Sequence, residues 1–304
     1  MSKHTIFGSK TMAALGAIFC CALWGISTPI VKMGYAYTDP NHVPSLLLWV
    51  GIQFAIAGLL TICFYSIVSK RFAMPKRKNI KGVAMVSLLQ TVIQYACLYI
   101  GLQYTTSVKG AILKSTDVFF VALIASLLFK IEKLTVKKLI ACLIGFTGII
   151  VMNLDGLSLN INPLGDGLVI LGILSYSFGV IMVKLFSKDE DPVVLSGYQM
   201  TLGGLVMLLI GIVFNGRIDF SGMLPIMFGL SVIYAVSYTL WTVLLKNNPA
   251  SSVTIYSFMT PVFGVIFSEL FLTEDGGVAP LSLCVALILV CAGIVLWGYE
   301  KKQS

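Results

Sequence analysis

The segments "SVKGAILKSTDVFFVALIASLLFKIEKLT", residues 107–135, and "PASSVTIYSFMTPVFGVIFSELFLTEDGG", residues 249–277, align without a gap when displaced by 142 positions. The displacement sets Glu132 on Glu274, Phe119 on Pro261 and, upstream, Tyr99 on Trp241. Each segment holds an apolar run of about 20 residues, enough to cross a hydrocarbon layer as a helix. The first carries Lys114 and Asp117 inside its run and Lys109 just before it. A charge at mid-membrane costs about 2.5–3.5 kcal/mol on insertion scales. Both features, the repeat and the costly charges, need the rest of the chain to explain them.

Around these segments the sequence has 304 residues, of which 58% are hydrophobic and 11% charged. About a quarter of a soluble domain is charged, so lipid must be the solvent for much of this chain. It reads as an all-α integral membrane protein. The net charge of +8 does not make it a nucleic-acid binder, because the basic residues sit in short segments between apolar runs, where membrane topology puts them. All seven cysteines lie within apolar runs, and none has the spacing of a metal or disulfide pair. No cofactor is implied. The N-terminal apolar stretch is too long for a signal peptide and has no cleavage site.

At bilayer length the sequence divides into ten expected spans: 11–34, 44–68, 82–104, 107–129, 137–153, 166–187, 193–214, 223–246, 250–271 and 280–298. The fifth is the shortest. Turn-rich connectors such as "TDPNHVP" separate them. With a cytoplasmic N-terminus, 17 of the 21 basic residues fall on the inner side, as the positive-inside rule requires. The outer loops carry Asp39, Asp155, Asp166, Asp219, Glu274 and Asp275. Both termini are expected in the cytoplasm.

The repeat extends beyond the opening pair. A shift of 145 sets Gly148 on Gly293, and a shift of 152 sets Trp24 on Tyr176 and Lys32 on Lys184. Two five-span halves follow, 11–153 and 166–298, integrated into one membrane domain without a soluble one. Five is odd, so the second half is inverted across the membrane. Inverted repeats recur in secondary transporters, where two similar halves exchange shapes around a central site.

The ten spans, "LWGISTPIVK" in span one, "TPVFGVIFSELFLTED" around Pro261 and the paired "FKIEKLT" and "FLTED" endings resemble the EamA family of the drug/metabolite transporter superfamily. The resemblance covers residues 11–299. It implies a five-plus-five transporter in which spans one, three, four, six, eight and nine surround a central cavity, with the fifth and tenth peripheral. Similar proteins export amino acids, related metabolites or drugs, and some relatives carry nucleotide-linked or phosphorylated sugars. The family often has a proline where this chain has Phe119, and small neutral residues where it has Lys114 and Asp117.

Lys114 and Asp117, three residues apart, would share one helical face. One reading is a structural ion pair. The other makes them cavity groups, Lys114 attracting a carboxylate or phosphate and Asp117 tuning it, accepting a substrate ammonium or carrying a proton. A closed pair among apolar neighbours is often no better than an apolar replacement, which favours the cavity. Glu269 is either an interfacial carboxylate or half of an outer gate with Lys109. Further cavity candidates are Trp24, Gln90, Gln94, Tyr95, Tyr99, Tyr176, Tyr198, Tyr234, Tyr238, Trp241 and Tyr256; Pro29 and Pro261 are candidate hinges.

The expectation is a secondary transporter in a bacterial cytoplasmic membrane, exporting amino acids or related small polar metabolites by alternating access. Its partners are a small-molecule substrate, membrane lipid and a coupling proton or exchanged solute; a monomer is expected. No P-loop, HExxH or GxSxG occurs, and His4 and His42 lie outside the spans, which weighs against an ATPase or an intramembrane enzyme. A channel-like facilitator is the remaining alternative.

Overall fold

A computed structural model describes residues 6–154, 157, 160–272 and 278–298. Asp155, Glu274, Asp275 and the terminal Lys3, His4, Lys301 and Lys302 lie outside them. The described chain is helical throughout. In order come α1 Lys10–Gly34, α2 Val43–Ser69, α3 Ile80–Ser87, α4 Gln94–Leu102, α5 Ser107–Lys114, α6 Asp117–Leu123, α7 Val136–Met152, α8 Pro163–Phe186, α9 Pro192–Val213, α10 Phe220–Asn247, α11 Ala250–Thr254, α12 Met259–Phe271 and α13 Pro280–Gly298.

Several of these join end to end. A π-helical turn, Leu88–Ile93, links α3 to α4, so span three is one helical run, Arg77–Leu102. Span four is α5 followed by α6, and span nine is α11 followed by α12. Among the described residues, nine helical runs have the length and apolarity to cross a membrane. The remaining expected span, the fifth, is α7, a helix of 17 residues.

Directions follow from contacts at the helix ends. Lys10 Nζ at the start of α1 donates to Gly298 O at the end of α13, at 3.4 Å. The start of α1 and the end of α13 therefore lie on one face, called here the termini face. At the start of α8, Asp166 meets Thr105 beyond α4, at 2.7 Å. At its end, Lys184 donates to Asn248 O at 2.7 Å, and Asn248 Nδ2 donates to Phe7 O at 2.9 Å. Since Phe7 directly precedes α1, α8 runs toward the termini face while α1 runs away from it. The second half is inverted.

The packing pattern maps onto itself when the halves are exchanged. Helix α2 lies along α9, and α7 along α13, so each of these pairs joins corresponding spans. Helix α1 contacts α10 and α12, as α8 contacts α4 and α6. Lipid gives helices no hydrophobic reason to associate, so close backbone approach and dispersion must hold them together. Glycines provide the approach. A Cβ at Gly51 would lie 2.3 Å from Leu208 N, and one at Gly204 2.3 Å from Ala55 N. In the other pair, a Cβ at Gly293 would lie 2.7 Å from Ala141 O.

Candidate functional site

Spans four and nine are each broken, at the same register of the repeat. In span four, α5 stops at Lys114 and α6 begins at Asp117, leaving Ser115 and Thr116 between them. Both hydroxyls turn back on the preceding helix, Ser115 Oγ to Ala111 O at 3.1 Å and Thr116 Oγ1 to Leu113 O at 2.6 Å. Such back-bonding competes with the helical ladder and bends it. In span nine the equivalent stretch is a 3-10 turn, Ile255–Phe258. Pro261 supplies the cause there: it has no N–H for the carbonyl of Ser257, and its ring crowds that carbonyl. Two chemistries produce one break.

The breaks bring Ser257 to Asp117. Ser257 Oγ lies 3.1 Å from Asp117 Oδ1 and 3.2 Å from Oδ2, so its hydroxyl is shared between the two oxygens. Asp117 is 7% exposed. The Lys114–Asp117 ion pair, one of the two readings of these residues, does not form. Among the described residues, ion pairs fall at Lys78–Asp189 and Lys109–Asp166 instead. The reason is the unwound Ser115–Thr116 step, which removes the helical spacing that would have set the two side chains side by side. Lys114 instead projects into open space.

That space is a cavity of about 580 Å³, within the range of small-molecule sites. Span one lines it with Trp24, Ser27, Thr28 and Lys32; span three with Gln94, Tyr95 and Leu98. Span four contributes Lys114, Ser115 and Asp117, span six Tyr176, and span eight Tyr234 and Tyr238. Span nine contributes Ser257, Thr260, Pro261 and Glu269 among others. These are the six spans the resemblance implies. Span five was expected to be peripheral, yet Met152 and Asn153 at its end also reach the mouth. Lys32, Val108, Asn153 and Glu269 all sit at helix ends away from the termini face, so the cavity lies toward that far side.

The wall is aromatic and partly polar. Tyr95 and Tyr238 share a hydroxyl contact at 3.1 Å, and Trp24 stands edge-on to Tyr238 with ring centroids 5.7 Å apart. Among the described residues, Trp24 Nε1, Gln94 Oε1 and Thr260 Oγ1 are buried without a hydrogen-bond partner.

Several expected site residues lie elsewhere. Tyr198 donates to Ala73 O at 2.9 Å, near the termini face, because that carbonyl is the acceptor within its reach. Tyr99 packs behind Tyr95 with centroids 6.1 Å apart. Trp241 lies beneath Trp24 at 4.9 Å. Gln90 fills the notch over Gly179. Tyr256 offers its backbone oxygen to Cys21 Sγ at 3.1 Å. Helix α1 continues unbroken through the buried Pro29.

The expected Lys109–Glu269 gate is not made in this structure. Lys109 Nζ lies 2.5 Å from Asp166 Oδ2 and 2.7 Å from Asn160 O. Asp166 sits in the first turn of α8, a favourable place for a carboxylate, and it meets Lys109 first. Glu269 lines the cavity instead. Reading the sequence missed Ser257, Thr260, Ser27 and Asn153. For Ser257 a signal existed: the 142 shift sets it on Ser115, beside the charged pair.

Comparison with known proteins fits this geometry. The EamA-like transporter family model matches twice, at residues 11–154 and 163–299. The chain is 28% identical over 303 residues to the uncharacterized transporter YvbV of Bacillus subtilis, covering 97% of this chain and 94% of that one. It is 27% identical over 265 residues to a chloroplastic WAT1-related protein of Arabidopsis thaliana, covering 83% of this chain and 61% of that one. A solved crystal structure superposes with a TM-score of 0.75 at 14% identity, over 97% of this chain and all of that one; at that identity it speaks to the fold alone. Two inverted halves, two matched breaks and a cavity between them agree with the doubled family match: this multi-pass membrane protein belongs to the EamA-like transporter family.

Proposed function

We propose that the protein is a secondary active transporter that exports amino acids or related small polar metabolites by alternating access, coupled to protons or to exchange. The observation that carries this reading is the arrangement at the crossing of the broken spans: Lys114, which has no ion-pair partner among the described residues, and Asp117, a buried carboxylate held by the Ser257 hydroxyl. A zwitterion answers both, its carboxylate toward Lys114 and its ammonium toward Asp117. Asp117 is also the group suited to carry a coupling proton, since intramembrane carboxylates recur in proton relays. Discontinuous helices of paired repeats commonly bind substrate at such crossings.

Lys32 and Lys114 both line the cavity, which favours a second reading: a phosphorylated or nucleotide-linked metabolite. We place the protein in a bacterial cytoplasmic membrane with both ends in the cytoplasm, since the basic loops lie on the termini face. The test is counterflow in proteoliposomes, preceded by a ligand thermal-shift screen of amino acids, phosphorylated sugars, nucleotides and cationic drugs. Saturable amino-acid counterflow that Lys114→Ala and Asp117→Asn abolish supports the first reading. Phosphorylated hits indifferent to Asp117→Asn support the second. Flux without saturation or counterflow would indicate a channel and end both.

A further inference from the structure

The cavity does not reach the termini face, and the closure there has a particular construction. Glu132, in the loop after span four, accepts the backbone N–H of Ala250 at 2.5 Å and that of Ser251 at 3.4 Å, and also takes the Ser251 hydroxyl. These residues start span nine, so one carboxylate of the first half caps a helix of the second. A carboxylate suits that end because the helix dipole is positive there. Just before it, Lys184 Nζ caps the closing carbonyls of α10, Lys246 O at 3.2 Å and Asn248 O at 2.7 Å. Opposite charges thus hold the two helix ends that meet at Asn248 and Pro249. Of these two caps, the one made by Glu132 joins one half to the other; beside it Asn248 Nδ2 also crosses, donating to Phe7 O at 2.9 Å.

Between this cluster and the cavity floor lies a buried seam. Trp24 Nε1, Trp241 Nε1 and Ser237 Oγ are buried there without hydrogen-bond partners among the described residues. Cys20, fully buried, donates its thiol to Ser237 O at 3.5 Å. None of Trp241, Ser237 and Cys20 lines the cavity. Unpartnered polar atoms are expensive to bury, and a second state that hydrates them would account for their presence.

The inverted repeat provides a comparison. The 142 shift places Ala250 and Ser251 on Val108 and Lys109, the start of span four at the far face. That helix start is capped by its own Thr106 hydroxyl, at 3.2 Å from Lys109 N, and Val108 lines the cavity. The Lys109 side chain there also reaches the second half, at Asp166, so the two starts differ in what is tied: backbone N–H groups, held by Glu132, at the closed face, and a side chain at the open one.

We propose that Glu132 is the latch of the gate at the termini face, and that releasing it from Ala250 and Ser251 opens a passage past Cys20, Ser237 and Trp241. Glu132 is a positioning residue. The proposal rests on the alternating-access reading above but is tested without substrate.

The test uses the full-length protein in proteoliposomes and native Cys20 as reporter. A membrane-impermeant maleimide is added to one side or the other, and modification is mapped by peptide mass spectrometry. Cys142, fully buried in α7, is the control for general loosening. Wild-type Cys20 is expected to be protected. Glu132→Ala should raise its modification from the termini face roughly tenfold, the population shift that losing a charge-assisted hydrogen bond produces. Glu132→Asp should restore much of the protection. Ser251→Ala should raise modification less and add nothing on top of Glu132→Ala. Unchanged Cys20 protection in both Glu132→Ala and Ser251→Ala overturns the latch, and so does a rise that Cys142 shares in both. A failed transport assay with the Cys20 pattern intact would instead count against the proposed function.

Discussion

Ser257 and Asp117 come from opposite halves of the chain, 140 residues apart, and meet where both halves break their helices, with Ser257 Oγ 3.1 Å from Asp117 Oδ1. A hydrogen bond to an ionised group contributes about 1.5–3 kcal/mol. Ser257→Ala should therefore lower the unfolding temperature in detergent, and Asp117→Asn should remove most of the effect of a further Ser257→Ala. A double-mutant cycle with simply additive losses would show that the two side chains do not interact in solution.

Lys114 has no ion pair with Asp117 to lose. Lys114→Ala should leave the unfolding temperature unchanged or raise it, because it relieves a cation placed within the bundle at a cost in desolvation. Ligand-induced stabilisation should meanwhile fall by a factor of about ten or more, the effect of deleting a charged contact to substrate. A loss of stability without loss of ligand response would make Lys114 a structural residue.

Lys109 and Asp166 are only 14% and 10% exposed at their side chains. Removing one partner of a buried pair costs about 3–5 kcal/mol, and near this surface the cost should fall toward the low end. Thermal denaturation should accordingly rank Lys109→Ala well below wild type and Glu269→Gln close to it. Coupling energy should be found for Lys109 with Asp166 and none for Lys109 with Glu269. The reverse ranking would restore the gate expected from the sequence.

Gly204→Ala tests the scaffold. Its Cβ would lie 2.3 Å from Ala55 N, a backbone atom that cannot step aside. Overpacking of this kind costs about 1–3 kcal/mol, and α2 and α9 should separate enough to lower the unfolding temperature. An unaffected melting curve would mean that the pair is looser than its geometry.

Much of the architecture is readable one-dimensionally because bilayer thickness imposes a length and the repeat imposes a symmetry. The approximate spans and the doubled half follow from those two constraints, whereas the expectation that Lys114, Asp117, Trp24, Gln94, Tyr95, Tyr176 and Tyr238 face one cavity came from the family resemblance. Partners are not readable in this way. Lys109 chose Asp166 over Glu269, and Asp117 chose Ser257 over Lys114, because pairing depends on where helices stop and cross.

By itself, then, the sequence determined that lipid surrounds this chain and that it is built twice with the second copy inverted; which helices face inward came from its resemblance to the EamA family. Hydrophobic length, the distribution of basic residues and the odd number of spans per half leave little freedom on those points. The tertiary structure alone decided that the charged helix breaks between its lysine and its aspartate, and that Glu132 reaches across to the start of span nine. Both depend on local competition for backbone hydrogen bonds, by Ser115, Thr116 and Pro261 in one case and by a carboxylate at a helix end in the other, and such competition is settled only when the helices are packed together.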